Sequence, residues 1–134
     1  MDIEDLVTFE QATFLKKLGF QEECTHYYYN KHLYEYSPKD YSMYCISWDF
    51  NTKEYIDTSG YNLFENCISA PTLAQAQKWL RKNKNVSIEP RYDALQWWCN
   101  ITNILTSDWK DLPDTYRSYE RALSTGITEY FKEI

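Results

Sequence analysis

The stretch "CTHYYYNKHLYEYS", residues 24–37, contains five tyrosines and both histidines of the chain. Its centre is Asn30-Lys31, and asparagine is a favoured first residue of the two-residue turns that close β-hairpins. The flanking residues are mostly tyrosines, which are enriched in strands. The stretch therefore predicts an antiparallel hairpin, and the rest of the fold has to supply a layer that covers it.

A two-residue turn at this place also predicts which side chains share a face of the hairpin, because successive residues of a strand point to opposite faces. One face carries three facing pairs: Tyr29 with His32, Tyr27 with Tyr34, and Thr25 with Tyr36. The other face carries Cys24, His26, Tyr28, Leu33 and Glu35. The first face is thus an almost continuous aromatic surface.

Two interpretations of this aromatic face remain open. Facing aromatic pairs stabilise a sheet by about 0.2–1 kcal/mol each, which would make the tyrosines structural. Tyrosine is also enriched in interfaces, because it combines a flat apolar ring with a polar hydroxyl. Since three predicted helices already supply a core, both faces of the hairpin are not needed to fill it. The candidate binding residues are therefore Tyr27, Tyr29, His32, Tyr34 and Tyr36.

The helices are predicted from three segments with a shared opening, "TFEQATFLKKLGF" (8–20), "TLAQAQKWLRKNKN" (72–85) and "SYERALSTGITEYFKEI" (118–134). Each begins with Ser or Thr, whose hydroxyl can cap the free N–H groups of a first helical turn. In the third segment apolar residues recur at helical spacing to the end, the pattern of an amphipathic helix. Gly126 lies on that apolar stripe, so we expect it to permit close approach to a sheet.

Between the helices the apolar residues alternate with a period of two, which indicates strands. The segment "MYCISWDF" (43–50) and a shorter strand from Tyr55 predict a second hairpin. The segment "VSIE" (86–89), which Pro90 is expected to end, and "QWWCNITNI" (96–104) predict a third.

The predicted elements alternate along the chain, with a helix first and a helix last. Antiparallel hairpins combined with separate helices define the α+β class. We expect antiparallel sheets built from hairpins and packed by three amphipathic helices, in the order α-ββ-ββ-α-ββ-α. At 134 residues the chain has the length of one domain, so residues 1–134 are predicted to form a single domain.

Part of the chain resembles known proteins. The segment "SAPTLAQAQKWLRKNKNVSIEP" (69–90), a tryptophan-bearing strand and "YRSYERALSTGITEYFKEI" (116–134) are together similar to a group of short uncharacterised proteins that phages and mobile elements of gut anaerobic bacteria encode. The layout of this C-terminal half is also similar to phage domains described as α-β-β-α sandwiches. The resemblance covers residues 8–20 and 69–134 best. It implies a phage or mobile-element origin, but the group has no established activity, so it implies no catalytic residue.

The composition argues against several classes of protein. A net charge of −6, with the acids spread along the chain, repels phosphate backbones and lowers the expectation of nucleic-acid binding. No run of apolar residues is long enough to span a membrane. The segment "MDIEDLVTFE" (1–10) lacks the basic start and apolar run of a signal peptide, so we expect a cytoplasmic protein, in the host cell if a phage encodes it. In that compartment the four cysteines are expected to be reduced and mostly buried.

The residues with catalytic potential do not form a complete site. His26 opposite Glu35 could act as an acid/base pair, but such cross-strand pairs are ordinary in sheets and no motif supplies a third group. Cys24, His26 and His32 could bind a metal, yet His32 lies on the opposite face and two ligands do not make a zinc site. The sequence also lacks a glycine-rich phosphate loop, GxSxG and HExxH. We therefore predict no enzyme activity, no catalytic residue, no metal and no cofactor.

Two further features have alternative explanations. The end of the second helix carries the basic residues Lys78, Arg81, Lys82 and Lys84. Cations there offset the negative end of the helix dipole, and a phosphate-binding patch is the alternative. Trp97 and Trp98 are neighbours in one strand and must point to opposite faces. One of them therefore either packs under a second layer or is exposed to anchor a partner.

These observations predict a small non-enzymatic interaction protein, an accessory protein of a phage or mobile element. It would dock a host or phage protein, or a second copy of itself, through the aromatic face of the hairpin at 25–36. The alternative is a binder of small ligands or single-stranded nucleic acid that stacks its target on the same tyrosines.

Overall fold

The computed structural model of the protein describes residues 2–37 and 47–134, and these contain three α-helices and two three-stranded antiparallel sheets. The elements in chain order are a short 3-10 helix Ile3–Asp5, α1 Phe9–Lys17, β1 His26–Tyr29, β2 His32–Glu35, β3 Ile68–Ser69, α2 Leu73–Lys84, β4 Val86–Asp93, β5 Gln96–Asn103, β6 Trp109–Asp111 and α3 Tyr119–Glu133. The predicted α+β class and the order of the elements are confirmed.

The chain divides into two compact units, and each contains one sheet. The first-sheet unit comprises Thr8–Pro71, with α1 and strands β1, β2 and β3. The second-sheet unit comprises Met1–Val7 and Thr72–Ile134, with α2, α3 and strands β4, β5 and β6. The single domain over residues 1–134 stays a prediction.

The three helices begin where their hydroxyl caps predict. The side-chain oxygens of Thr8, Thr72 and Ser118 each accept a hydrogen bond from the N–H group three residues later. At the other end of α1, Gly19 has a φ of 98° and the Phe20 N–H donates to the Leu15 carbonyl, which forms a glycine-based cap. Across residues 2–37 and 47–134, none of the helices is both long and apolar enough to cross a membrane.

The first sheet is built around the predicted hairpin, in the strand order β2-β1-β3. Its turn residues Asn30 and Lys31 have φ values of 50° and 67°, and the cross-strand partners are those expected from the sequence. Strand β3, which is too short to be predicted from the sequence, pairs with β1 at the edge opposite β2. Helix α1 packs on the face that carries Tyr28, where the rings of Phe9 and Tyr28 are 5.7 Å apart.

The predicted second hairpin is only partly within the described residues, because residues 43–46 lie outside them. The described segment 47–56 makes single bridges, from Trp48 to Cys24 and from Ile56 to Asn62, rather than a continuous strand pair. The reason is a side-chain turn, since the Asp49 carboxylate accepts hydrogen bonds from the N–H groups of the two residues after Phe50.

The second sheet has the order β4-β5-β6, and the prediction that Pro90 ends its first strand is wrong. Strand β4 continues through Pro90 to Asp93, because β4 lies at an edge of the sheet. The Ile88 carbonyl accepts a hydrogen bond from the Gln77 side chain of α2, so the backbone groups of Ile88 point away from β5. Every second residue of a strand has the same orientation, so the backbone nitrogen of Pro90 also points away from β5. Proline at position 90 therefore costs no hydrogen bond within the sheet.

Helices α2 and α3 cover one face of the second sheet. The apolar stripe of α3 is buried, and Gly126 allows the close approach to the sheet that the sequence predicts. In α2 the buried residues are Leu73, Ala76, Trp79 and Leu80. Val86, Ile88, Cys99 and Ile101 of β4 and β5 face the helices and complete this core.

Candidate functional site

The aromatic face of the hairpin divides into a buried inner half and an exposed outer half. In the inner half the rings of Tyr27 and Phe50 are 4.7 Å apart, and the Tyr36 ring is 5.5 Å from Phe50 and 5.7 Å from Phe64. Tyr36 is only 8% exposed. Tyr36 is therefore part of the core of the first-sheet unit and is not available at its surface, whereas Tyr27 is half-buried.

A network of side-chain hydrogen bonds holds the covering aromatic residues in place. The Phe50 N–H donates to the Ser69 hydroxyl at 3.0 Å, and the Ser69 N–H donates to the Asn51 side-chain oxygen at 2.9 Å. The Asn51 amide also donates to the Phe20 carbonyl at the end of α1. Because strand β3 and the end of α1 fix this segment, Phe50 is positioned firmly over the inner half of the face.

The outer half consists of Tyr29, His32 and Tyr34, next to the turn. Tyr29 is 42% exposed and Tyr34 is 44% exposed, and His32 is also exposed. The Tyr34 ring stacks on Tyr27 with 5.6 Å between ring centroids and an angle of 20° between the planes. The exposed ring of Tyr34 thus rests on a partly buried ring, which limits its rotation.

A cleft of about 380 Å³ lies beside these exposed rings. Its lining residues are Tyr27, Tyr29, Tyr34, Asn62, Leu63, Glu65, Asn66 and Cys67. The Asn62 side-chain oxygen accepts hydrogen bonds from the N–H groups of Tyr55 and Phe64, which fixes one wall of the cleft. Burial raises the pKa of the Tyr27 hydroxyl, so this group remains protonated and can donate a hydrogen bond.

No family model, curated protein or solved structure matches the chain. The resemblance to phage-encoded proteins therefore rests on the quoted sequence motifs alone. The candidate site rests on the contacts and exposure of the described residues.

On the opposite face of the hairpin, Cys24 and Tyr28 are buried, whereas Glu35 is exposed. Burial raises the pKa of the Tyr28 hydroxyl, and burial raises the pKa of the Cys24 thiol to about 12. Cys24, Cys67 and Cys99 are buried free thiols, as expected, while Cys45 lies outside the described residues. The exposed aromatic rings of the hairpin are therefore those of Tyr29 and Tyr34, on the other face.

His26 and Glu35 are cross-strand partners, as the register predicts. The Nδ1 atom of His26 is 2.8 Å from the Thr25 hydroxyl oxygen. In the described part of the chain, no ion pair or hydrogen bond joins His26 to Glu35, and no group of three or more potential metal ligands occurs. His32 lies on the other face, away from Cys24 and His26. The absence of catalytic activity stays a prediction.

The basic cluster of α2 lies at the end of the helix, where Arg81, Lys82 and Lys84 occupy the last turn. Lys84 Nζ is 5.9 Å from the centre of the Trp79 ring. The place of these residues in the last turn fits the explanation that the cations offset the helix dipole. The contact of Lys84 with Trp79 shows that its side chain also covers apolar surface.

The two neighbouring tryptophans point to opposite faces of β5, as predicted. The Trp97 ring packs edge-on against Tyr119 of α3, with 5.3 Å between centroids. The Trp98 indole N–H donates to the Asp111 carboxylate on the other face. Each is half-buried, so neither is the fully exposed anchor that a partner would require.

Sequence reasoning missed the wall of the cleft formed by residues 62–67. Asn62, Glu65 and Asn66 follow no helical or strand period, and the contacts join them to a hairpin more than 25 residues earlier in the chain. The one available signal was asparagine, which favours turns, and Asn66 indeed has a φ of 64°.

Proposed function

We propose that the protein is a small non-enzymatic interaction protein that docks a protein partner through the outer half of the hairpin face. The docking residues are Tyr29, His32 and Tyr34, and the adjacent cleft receives a side chain of the partner. The observation that carries this proposal is the division of one aromatic face. Its inner rings are covered by Phe50 and Phe64, whereas Tyr29 and Tyr34 are more than 40% exposed.

The energetic basis is the burial of rings that are already held in place. A tyrosine buries about 150–250 Å² when fully covered, at a low cost in conformational entropy because it has two side-chain torsions. Tyr34 is stacked on Tyr27, so part of this entropy cost has already been met on folding. The tyrosine hydroxyls then form hydrogen bonds with the polar rim of the partner.

The charge around the site favours a partner with a cationic side chain at the contact. Glu65 lies in the cleft, and the whole chain has a net charge of −6. An arginine of the partner can stack on a tyrosine ring while it pairs with the Glu65 carboxylate. Cation–π contacts contribute about 0.5–1 kcal/mol at exposed sites. The acidic surface also speeds the approach of a basic partner.

The sequence resemblance supports a biological setting for this interaction. Proteins similar to residues 8–20 and 69–134 are encoded by phages and mobile elements, which use small accessory proteins inside the host cell. We therefore place the interaction in the host cytoplasm, with a host or phage protein or a second copy of the chain as partner.

Site-specific photocrosslinking tests the proposal. A photoreactive phenylalanine analogue replaces Tyr34 in the outer half, and a matched variant carries it at Tyr92, an exposed tyrosine of the second-sheet unit. In cells that contain the partner, we expect a discrete crosslinked product from position 34 and none from position 92. Adding Tyr29→Ser to the position-34 variant should reduce the yield at least tenfold, because central aromatic residues dominate interface energies.

Two controls make the outcome decisive. Sedimentation velocity of the unmodified protein and of the Tyr29→Ser/Tyr34→Ser variant distinguishes self-association from binding of another protein. The thermal midpoint of the double variant should stay close to that of the parent, because both rings are largely exposed. Equal crosslinking from positions 34 and 92, or a yield that Tyr29→Ser does not change, would contradict docking by the hairpin.

The cleft also favours a second candidate function, the binding of a small ligand. Its volume of about 380 Å³ and its phenol, amide and carboxylate groups fit a planar polar molecule. A single-stranded nucleic acid is the other target of this kind, and its bases would stack on Tyr29 and Tyr34. Oligonucleotide titrations at two salt concentrations separate these cases, because backbone binding weakens strongly as salt rises.

A further inference from the structure

Helices α2 and α3 cover one face of the second sheet, and the other face, its outer face, carries polar and aromatic side chains. The outer face is the one opposite Cys99 and α3. Its side chains, in four cross-strand rows, are Ser87, Thr102 and Trp109; Glu89, Asn100 and Asp111; Arg91 and Trp98; and Asp93 and Gln96. Charged, amide, hydroxyl and indole groups therefore meet on one surface, with no aliphatic side chain among them.

The centre of this face is a hydrogen-bonded polar floor. Asn100 is only 5% exposed, although asparagine is usually a surface residue. Its amide nitrogen donates to the Asp111 carboxylate at 3.0 Å, and its oxygen accepts from the Thr102 hydroxyl at 2.7 Å. The Trp98 indole N–H donates to the same Asp111 oxygen at 3.3 Å. Buried polar groups that are satisfied in this way hold a rigid arrangement.

An open cleft of about 350 Å³ lies over this floor. Its lining residues are Arg91, Asn100, Thr102, Trp109 and Asp111. Trp109 lies on the edge strand β6 beside these polar side chains, and its large indole ring is 67% exposed. Among the described residues, Arg91 forms no ion pair, so its guanidinium is available to a ligand.

We infer that this cleft binds a neutral saccharide. A sugar ring presents an apolar face of C–H groups, which stacks on an exposed indole such as that of Trp109, and a rim of hydroxyls. The carboxylate of Asp111 accepts hydrogen bonds from vicinal hydroxyls, and the planar guanidinium of Arg91 donates two in parallel. Thr102 can accept as well as donate, which matches the dual character of a sugar hydroxyl.

Other ligand classes fit the cleft less well. An apolar ligand would find one indole and no aliphatic wall, whereas binding pockets for such ligands are lined mainly by apolar side chains. A phosphate or other strong anion would meet Arg91 but also Asp111 and the nearby Glu89. A cation would meet the guanidinium of Arg91. A neutral ligand with many hydroxyls uses both charged groups without an unfavourable contact.

Nuclear magnetic resonance of the indole N–H groups tests the inference. The protein has five tryptophans, so the five indole signals can be assigned from single Trp→Phe variants. The probes are soluble oligosaccharides of β-1,4-linked glucose, α-1,4-linked glucose and β-1,4-linked N-acetylglucosamine, each titrated to millimolar concentration. We expect at least one of them to shift the Trp109 and Trp98 signals and to leave those of Trp48 and Trp79 in place.

Variants and salt decide the outcome. Trp109→Ala and Arg91→Ala, both at exposed positions, should weaken binding at least tenfold, whereas Leu105→Ala, an exposed residue outside the cleft, should leave it unchanged. Binding should not depend on salt, because the ligand is neutral. The inference is overturned if none of the three saccharides shifts the two signals, if Trp109→Ala still binds, or if only a charged oligonucleotide binds. Tyr29→Ser/Tyr34→Ser should not affect saccharide binding, so this test is independent of the hairpin.

Discussion

Gly126 of α3 lies directly against the thiol of Cys99 in β5. A methyl group at position 126 would stand 2.3 Å from the Cys99 sulfur and 2.7 Å from a methyl carbon of Ile88, closer than non-bonded atoms can approach. Overpacking of a core typically costs about 1–3 kcal/mol. The gain in helix propensity from glycine to alanine, about 1 kcal/mol, offsets only part of this cost. We therefore expect Gly126→Ala to lower the free energy of unfolding by up to about 2 kcal/mol, measured by urea denaturation.

A double-mutant cycle identifies the cause of that loss. Cys99→Ala removes the sulfur that the new methyl would meet, so Gly126→Ala should be less destabilising in the Cys99→Ala background than in the parent protein. Equal losses in both backgrounds would show that the close approach to Cys99 is not what requires glycine.

The turn between β4 and β5 is a second place where the backbone constrains the sequence. Ala94 and Leu95 have φ values of 51° and 67°, and both conformations are unfavourable for residues other than glycine and asparagine. Leu95 is also almost fully exposed, so its side chain contributes little packing. We expect Ala94→Asn combined with Leu95→Gly to raise the free energy of unfolding by about 1 kcal/mol, because these residues suit the turn.

The matched control for this variant is Leu105→Gly. Leu105 is similarly exposed but does not have a positive φ, so glycine there should lower stability or leave it unchanged. Thermal unfolding of the two variants compares them under the same conditions. A rise in stability for both would mean that removal of an exposed leucine, rather than relief of the backbone, is responsible.

The sequence predicted the local geometry of the hairpin because a two-residue turn permits one register. Asn30-Lys31 alone determines that Tyr27 faces Tyr34 and that Cys24 lies on the other face. The caps of the helices were predictable because each depends on residues only a few positions apart. The role of Gly126 was predictable because the helical period places it on the apolar stripe of α3.

The sequence could not predict how far the aromatic face is covered. Phe50 and Phe64 reach the face from turns rather than from strands, and hydrogen bonds with Ser69 position the turn that carries Phe50. Strand β3 has only two residues, and strand β6 has three, so neither is long enough to show alternation. The prediction that Pro90 ends its strand was wrong because proline is tolerated in an edge strand, and whether a strand lies at an edge depends on the whole sheet.

The division of the aromatic face predicts a sharp contrast in stability. Phe50 is buried against Tyr27, Tyr36 and Phe64, and Phe50→Ala should lower the free energy of unfolding by about 3–5 kcal/mol. Tyr29→Ala changes an aromatic residue of the same hairpin face that is largely exposed, and the expected effect is within about 0.5 kcal/mol. Urea denaturation of both variants makes the comparison. Similar losses for the two would show that the outer half is as much a part of the core as the inner half.

The buried thiols predict how stability depends on alkaline pH. Burial raises the pKa of Cys24 and of Cys99 from 9.0 to about 12, and the negative charge of Glu89 adds to the effect at Cys99. Above pH 9 the unfolded chain loses these protons while the folded protein keeps them. The folded state then binds more protons than the unfolded state, so stability is complete below pH 9 and falls as pH rises towards 12.

The expected loss is about 1 kcal/mol for each thiol between about pH 8 and pH 10. The Cys24→Ala/Cys99→Ala variant has no thiol at either position, so its free energy of unfolding should fall less over the same interval, whatever its absolute stability. Tyr27, Tyr28 and Tyr130, whose pKa values are also raised by burial, act in the same direction, but both proteins contain them, so they do not cause a difference between the two slopes. Urea denaturation at several pH values in this range measures both slopes. Because Cys24 is buried beside Ser69 and Cys99 beside Gly126, we expect the two slopes to differ. Equal slopes for the variant and the parent would mean that the two thiols ionise as readily in the folded protein as in the unfolded chain.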